Sequence, residues 1–400
     1  MAITIIVTIC LLLLLAYVFE ISAPKTRIPS VILLLILGWG VKQGATLFKV
    51  SIPDLTPILP ILGTVGLVLI VLDGALELEL NKSKLPMIRK STIMALFPIL
   101  LMSLGLAYAF SGVEHIPLRI GLINAIPLAI ISSAIAIPSA RGLLNHDKEF
   151  VTYESSLSDI LGVILFNFLL LNNGLSAESL GVFLLQLVLM IAVSFMSTLG
   201  LAFLLTKINH PIKFTPIILL VILIYAISKI YHLPSLIFIL IFGLFVGNLD
   251  EIKRFAFINK LQPEILNIEV RKFKEITTEI TFLIRALFFL LFGFLIKTNE
   301  ILNPDTIVWA IAITISIFLI RFLFLKILRL QALPLLFIAP RGLITILLFL
   351  SIPVNESLGI VNNSLIIQVI ILSALIMMFG LLRNTTDETT IEKNTASQSL

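Results

Sequence analysis

The stretch YESSLSDILGVILFNFLLL, beginning at Tyr153, places two carboxylates, Glu154 and Asp159, at the head of a long apolar run. On a helix Asp159 stands about a turn and a half deeper than Glu154. A charged carboxylate without a partner costs several kcal/mol in such surroundings, so it must be neutralised by a proton, a cation or a buried base. Ser155, four residues before Asp159, shares its helical face, and Ser158 adjoins it. A second stretch, ISSAIAIPSARG, contributes Ser132 and Ser133. A hard alkali cation takes oxygen ligands. Asp159, Ser155, Ser158, Ser132 and Ser133 offer carboxylate and hydroxyl oxygens that could replace part of its hydration shell. Ser158 does not ionise, which leaves one titrating carboxylate and favours one proton per monovalent cation. The transported ion on Asp159 is the only metal expected, and no cofactor is implied.

Other charges inside apolar runs need an equally specific explanation. Arg285, Arg321 and Arg341 must each be paired or face water. Glu154 and Arg321 are expected to form a neutral pair bracing the Asp159 helix. Arg341 follows Pro340, where its charge can offset the carbonyl-rich end of a half-helix. Arg285 should face either Asp73 or a cavity. Asp73, just before Gly74, could line a cytoplasmic funnel with Glu77 and Glu79, or partner an arginine. The bland role for Asp159 itself is a salt bridge to one of the three arginines. The histidines, His115, His146, His210 and His232, fall in loops or at run ends and read as solvated residues.

The elements that must position these groups follow from composition. Of the 400 residues 59% are hydrophobic and 13% charged, against roughly 25% charged in an average soluble domain. A soluble fold could not cover that much apolar surface. The net charge of +5 is scattered between apolar runs rather than gathered on one face, which argues against nucleic acid. The single cysteine, Cys10, excludes an intrachain disulfide and a cysteine metal cluster.

A bilayer core of ~30 Å needs about 20 apolar residues per helix. On that ruler the chain reads as an all-α polytopic membrane protein with about thirteen spans. They lie near 2–19, 29–47, 57–78, 91–112, 118–143, 150–172, 180–206, 214–230, 234–249, 278–297, 305–328, 333–352 and 363–382. The first lacks a basic leader and reads as a retained span. With the amino terminus outside, twenty of the 28 Lys and Arg residues fall on the cytoplasmic side, five outside and three within spans. That asymmetry puts the carboxyl terminus in the cytoplasm.

Two spans interrupt themselves, at ISSAIAIPSARG with Pro138 and at FIAPRGLIT with Pro340. Proline removes an amide donor and clashes with the preceding turn, so both are expected to break near mid-membrane. Unwound backbone at that depth survives only when buried in protein or lining a water-filled cavity. The broken spans are fifth and twelfth, so spans one to six and eight to thirteen pair as inverted repeats. LVLIVLDGALEL in span three and RALFFLLFGFLI in span ten, with Gly74 and Gly293 in matching places, support the pairing. Paired discontinuous helices point to a transporter's binding site. The connection from Asp250 to Glu279 reads as a cytoplasmic amphipathic helix, and the tail from 383 to 400 as disordered.

At these residues the chain resembles the monovalent cation/proton antiporter superfamily, specifically its sodium/proton exchanger branch. YESSLSD matches the family's GESLLND stretch, which places the essential aspartate on Asp159 and the glutamate on Glu154. LDGALELEL is similar to the family's GLELD region, and IRFLFLK and APRGLITILL resemble the arginine-bearing helices, with Arg321 and Arg341 in the family's places. The resemblance covers residues 1–382. It implies the antiporter fold, a homodimer, and a core near 91–172 and 305–382 that moves against a dimerisation scaffold at 1–79 and 180–297. Where electroneutral exchangers carry Asn before the essential Asp this chain has Ser158, and where many carry a Thr–Asp pair it has Ser132 and Ser133. These departures bear on ion selectivity.

The expected function is therefore exchange of a monovalent cation, sodium first and lithium or potassium next, for protons across the plasma membrane. A sodium-coupled organic solute symporter on the same plan is the alternative. An intramembrane enzyme is disfavoured, because the chain has no HExxH or GxSxG motif and no cysteine nucleophile in a polar setting.

Overall fold

In the computed structural model the chain is helical and, among the described residues, contains no strand. The structure describes all residues except 1, 27, 50–53, 79–80, 173–176, 208–213, 232, 234, 249–262 and 399–400. Glu79, His210, His232 and the first part of the 250–279 connection thus lie outside the described residues.

The helices are α1 (Ala2–Thr26), α2 (Ser30–Leu47), α3 (Ile58–Glu77), α4 (Leu85–Glu114), α5 (Leu118–Ala129), α6 (Ser133–Ser139) and α7 (Asn145–Leu171). They continue as α8 (Ala177–Lys207), α9 (Phe214–Ile230), α10 (Leu236–Gly247), α11 (Pro263–Leu295), α12 (Pro304–Ile327), α13 (Leu343–Leu350) and α14 (Asn363–Gln398). Among the described residues nine helices are long and apolar enough to cross a membrane. Three shorter apolar helices, Val7–Ala23, Phe214–Ile230 and Leu236–Gly247, accompany them.

Packing gathers these helices into two groups. α4 packs on α5, α7 and α12, and α12 on α14; separately, α2 and α3 pack on α11, and α10 on α3 and α8. The groups meet where α3 touches α7 and α13 and where α1 touches α6. Lipid-facing apolar residues such as Leu185, Val188, Leu319 and Val308 stay exposed on the outside, as a bilayer permits.

Three elements have bounds that differ from those read in the sequence. The fifth span does break at Ser132, but Pro138 lies inside α6 rather than at the break, where Ile130 and Ser132 are extended. Acceptors on other elements hold that break open, while Pro138, lacking an amide, leaves the Ala134 carbonyl to be met by Arg285 at 3.5 Å. The 250–279 connection is in its later part the first half of α11, because nothing between Glu264 and Phe292 is a proline or glycine that would end the helix. Similarly, α14 is one helix through Gln398, and residues 383–398 contain no proline or glycine to end it.

Candidate functional site

The two interruptions meet. The Ser132 amide donates to the Pro340 carbonyl at 2.9 Å, so the broken backbones cross at one point. Glycine at 342 permits that approach: a Cβ there would stand 2.6 Å from Ile135 Cδ1 and 2.9 Å from Ser132 Oγ. α7 runs alongside and satisfies the amides that the first break frees. Ser158 Oγ accepts from the Ile131 amide at 3.0 Å. Asp159 Oδ2 accepts from the Ser133 amide at 3.2 Å and from the Ser133 hydroxyl. A carboxylate therefore faces the amide end of a half-helix, the favourable polarity for a negative charge.

Asp159 is 1% exposed. Its second oxygen, Oδ1, has no hydrogen-bond partner, and neither does Ser132 Oγ in the break beside it. Among the described residues Asp159 makes no ion pair, so the salt-bridge role does not apply. Ser155 shares the face of Asp159 but donates its hydroxyl to the Val151 carbonyl at 2.7 Å. Ser158, expected as a cation ligand, is engaged by the backbone and shapes the break. Among the described residues no three His, Cys, Asp or Glu side chains are grouped to hold a metal ion. A cation arriving here meets one carboxylate.

The other charges fall into place differently from one another. Glu154 and Arg321 form a two-pronged pair at 2.5 and 2.9 Å, both almost fully buried, with Arg321 Nε also donating to the Leu335 carbonyl at 2.7 Å. Arg341 donates from Nε to the Leu128 carbonyl at 2.7 Å, in the last turn of α5. It thus caps the carbonyl end of the opposite broken span, as its position after Pro340 leads one to expect.

Arg285 takes the second of its two expected placings and lines a cleft. It pairs with Glu20 at 2.9 Å rather than with Asp73. Glu20 also accepts from Arg141 at 3.0 Å and from Ser30 Oγ at 2.7 Å, which makes it a junction between α1, α2, α11 and the turn after α6. Sequence reasoning overlooked both Glu20 and Arg141 as partners. The available signal was a lone glutamate closing an apolar run. Asp73 accepts from Thr278 Oγ1 at 2.6 Å and lines a cleft of ≈ 510 Å³ with Gly74, Glu77, Ser133, Arg141 and Arg285. A neighbouring cleft of ≈ 610 Å³ is lined by Lys84, Lys148, Glu149 and Lys274 and shares Glu77 and Lys148 with the first. Together they lead from the end expected to be cytoplasmic to Ser133, the residue that holds Asp159. Their walls carry both signs of charge.

A family model described as sodium/hydrogen exchanger, transmembrane, matches residues 10–383. Two solved structures of the sodium proton antiporter MjNhaP1 from Methanocaldococcus jannaschii share the fold. The one at pH 8 superposes with a TM-score of 0.66 at 19% identity, covering 95% of this chain and 98% of that one. An electron-microscopy structure gives 0.65 at 20% identity, covering 95% of each. No curated protein sequence matches the chain.

Proposed function

The chain belongs to the sodium/hydrogen exchanger family, and we propose that it exchanges a monovalent cation for protons at Asp159 by alternating access. Sodium is the first candidate, with lithium and potassium after it. The observation that carries this reading is the condition of Asp159: buried, without a basic partner, one oxygen held at the helix break and the other unpartnered.

The chemistry follows from that condition. A proton or a cation each makes the Asp159 site neutral, while the bare carboxylate strands a charge in a medium of low dielectric. Loaded forms therefore cross and the empty form does not, which couples the two flows. Glu154 is held by Arg321 and takes no part in the titration. One exchangeable carboxylate supports one proton per cation. Ser132, Ser133 and Ser155 supply further oxygens around the ion, and Ser158 keeps the break open beside it.

In this reading thirteen spans form two inverted repeats, with the amino terminus outside and the carboxyl terminus in the cytoplasm of the plasma membrane. The α4–α7 and α12–α14 group is the core, moving against α1–α3 and α8–α11, which also form the dimer contact. The acid-bearing clefts admit the ion from the cytoplasmic side.

Asp159→Asn tests the reading. Reconstituted in proteoliposomes, the variant is expected to lose cation-dependent proton flux altogether while eluting and melting as a folded protein. Retained exchange would sink the assignment. Proton release by the natural protein on adding sodium alone, with no organic solute, separates antiport from solute symport.

A further inference from the structure

The site as described leaves one buried hydroxyl of α7 without a role. Ser156 is 4% exposed, and its Oγ has no hydrogen-bond partner. Buried polar atoms in folded proteins are nearly always paired, so an orphan is a feature to be explained. Ser156 stands three residues before Asp159, which puts the two on the same face of the helix about one turn apart, with Ser156 nearer the expected cytoplasmic end. The atom left over on Asp159, Oδ1, is likewise unpartnered.

α3 packs directly against Ser156. Gly74 of α3 lies opposite, and a Cβ there would come within 2.9 Å of Ser156 Oγ and 3.9 Å of Ile137 Cδ1. Gly74 also lines the cleft that carries Asp73 and reaches Ser133. With no side chain at 74, the backbone of α3 closes on the hydroxyl, so Ser156 sits directly behind the part of the cleft wall that Gly74 forms. Its neighbours Ser155 and Ser158 both have hydroxyls engaged by the backbone. Ser155 donates its proton and keeps its lone pairs for an ion; Ser156 differs in having neither its proton nor its lone pairs engaged.

We infer that Ser156 is a direct ligand of the transported cation, its hydroxyl completing, with Asp159 Oδ1 and Ser132 Oγ, the set of unpartnered oxygens that replaces the ion's water. The inference rests on the antiport reading and assigns it a selectivity-determining residue. Gly74 is the matching positioning residue, since a side chain there would be driven into the hydroxyl. Binding the ion would give each of these three oxygens the partner it lacks within the protein.

The experiment compares the natural protein, Ser156→Ala and Gly74→Ala, reading both sodium-driven proton flux in proteoliposomes and the melting temperature in detergent with and without sodium. Ser156→Ala should raise the apparent KM for sodium about fivefold, the equivalent of one hydrogen-bond-sized contact, with kcat little changed. It should melt no lower than the natural protein without sodium, because an unsatisfied hydroxyl has been removed, and should gain less from adding sodium. Gly74→Ala should raise KM in the same direction. An unchanged KM and sodium-induced shift in Ser156→Ala would overturn the inference, as would a lower sodium-free melting temperature, which would mean that the hydroxyl has a structural partner. If the natural protein shows no flux but is stabilised by sodium, antiport fails while the melting shift still tests Ser156 as a ligand.

Discussion

The amino-terminal half of α7 and its middle bury carboxylates five residues apart, and their surroundings are opposite. Glu154 meets both prongs of Arg321, and that guanidinium goes on to the Leu335 carbonyl. Asp159 has a serine amide and hydroxyl on one oxygen and nothing on the other. Burial alone thus does not distinguish a functional charge from a structural one. The completeness of its hydrogen bonding does, since a saturated pair braces and an incomplete one leaves room for an exchangeable ion.

The comparison can be broken by removing the brace. Glu154→Gln leaves the Arg321 guanidinium buried without its counter-charge, and a loss of about 3–5 kcal/mol in stability is expected. Thermal melting in detergent should show a large fall, and adding Arg321→Met should restore much of it. Asp159→Asn, in contrast, should leave the melting temperature unchanged or raised. If Glu154→Gln were to melt normally while losing exchange, Glu154 would be a second proton carrier.

The Glu20 junction is an intermediate case. Glu20→Gln would deprive Arg285 of its counter-charge, though the guanidinium keeps a long contact to the Ala134 carbonyl, and a loss of about 2 kcal/mol is expected. Arg141 has a side chain 42% exposed, so Arg141→Gln should cost less than about 1 kcal/mol. The inequality between these two variants, measured by melting, is the point of the test. Equal losses would mean that Arg141, not Arg285, is the partner that keeps Glu20 buried.

How far the sequence discloses these differences depends on the reach of each signal. Asp159 and the Glu154–Arg321 pair are legible because a charge within an apolar run has few physical solutions, and the order of motifs narrows them further. Arg341 is legible from Pro340, which announces the free carbonyls it would cap. Arg285 is legible as a cleft residue but its partner is not, because Glu20 is 265 residues away and sits where a run ends, the place where a glutamate usually meets water. The break at Ser132 was placed correctly but credited to Pro138. Its amides are satisfied by Ser158, Asp159 and Pro340, and such long-range acceptors leave no mark in local sequence. Ser156 was passed over for the same reason: only the packing of Gly74 against it distinguishes it from Ser155.

The smallest effect is expected at the mouth of the clefts. Lys84 and Glu149 pair at 2.9 Å, with side chains 21% and 40% exposed. Both ends are reached by water and salt, so the attraction is largely screened, and Lys84→Ala should change stability by no more than about 0.5 kcal/mol. A melting curve within error of the natural protein, insensitive to added salt, would place this pair with the solvated charges. A fall comparable to that of Glu20→Gln would mean that the mouth closes around the pair, giving it the low dielectric that the inner charges already have.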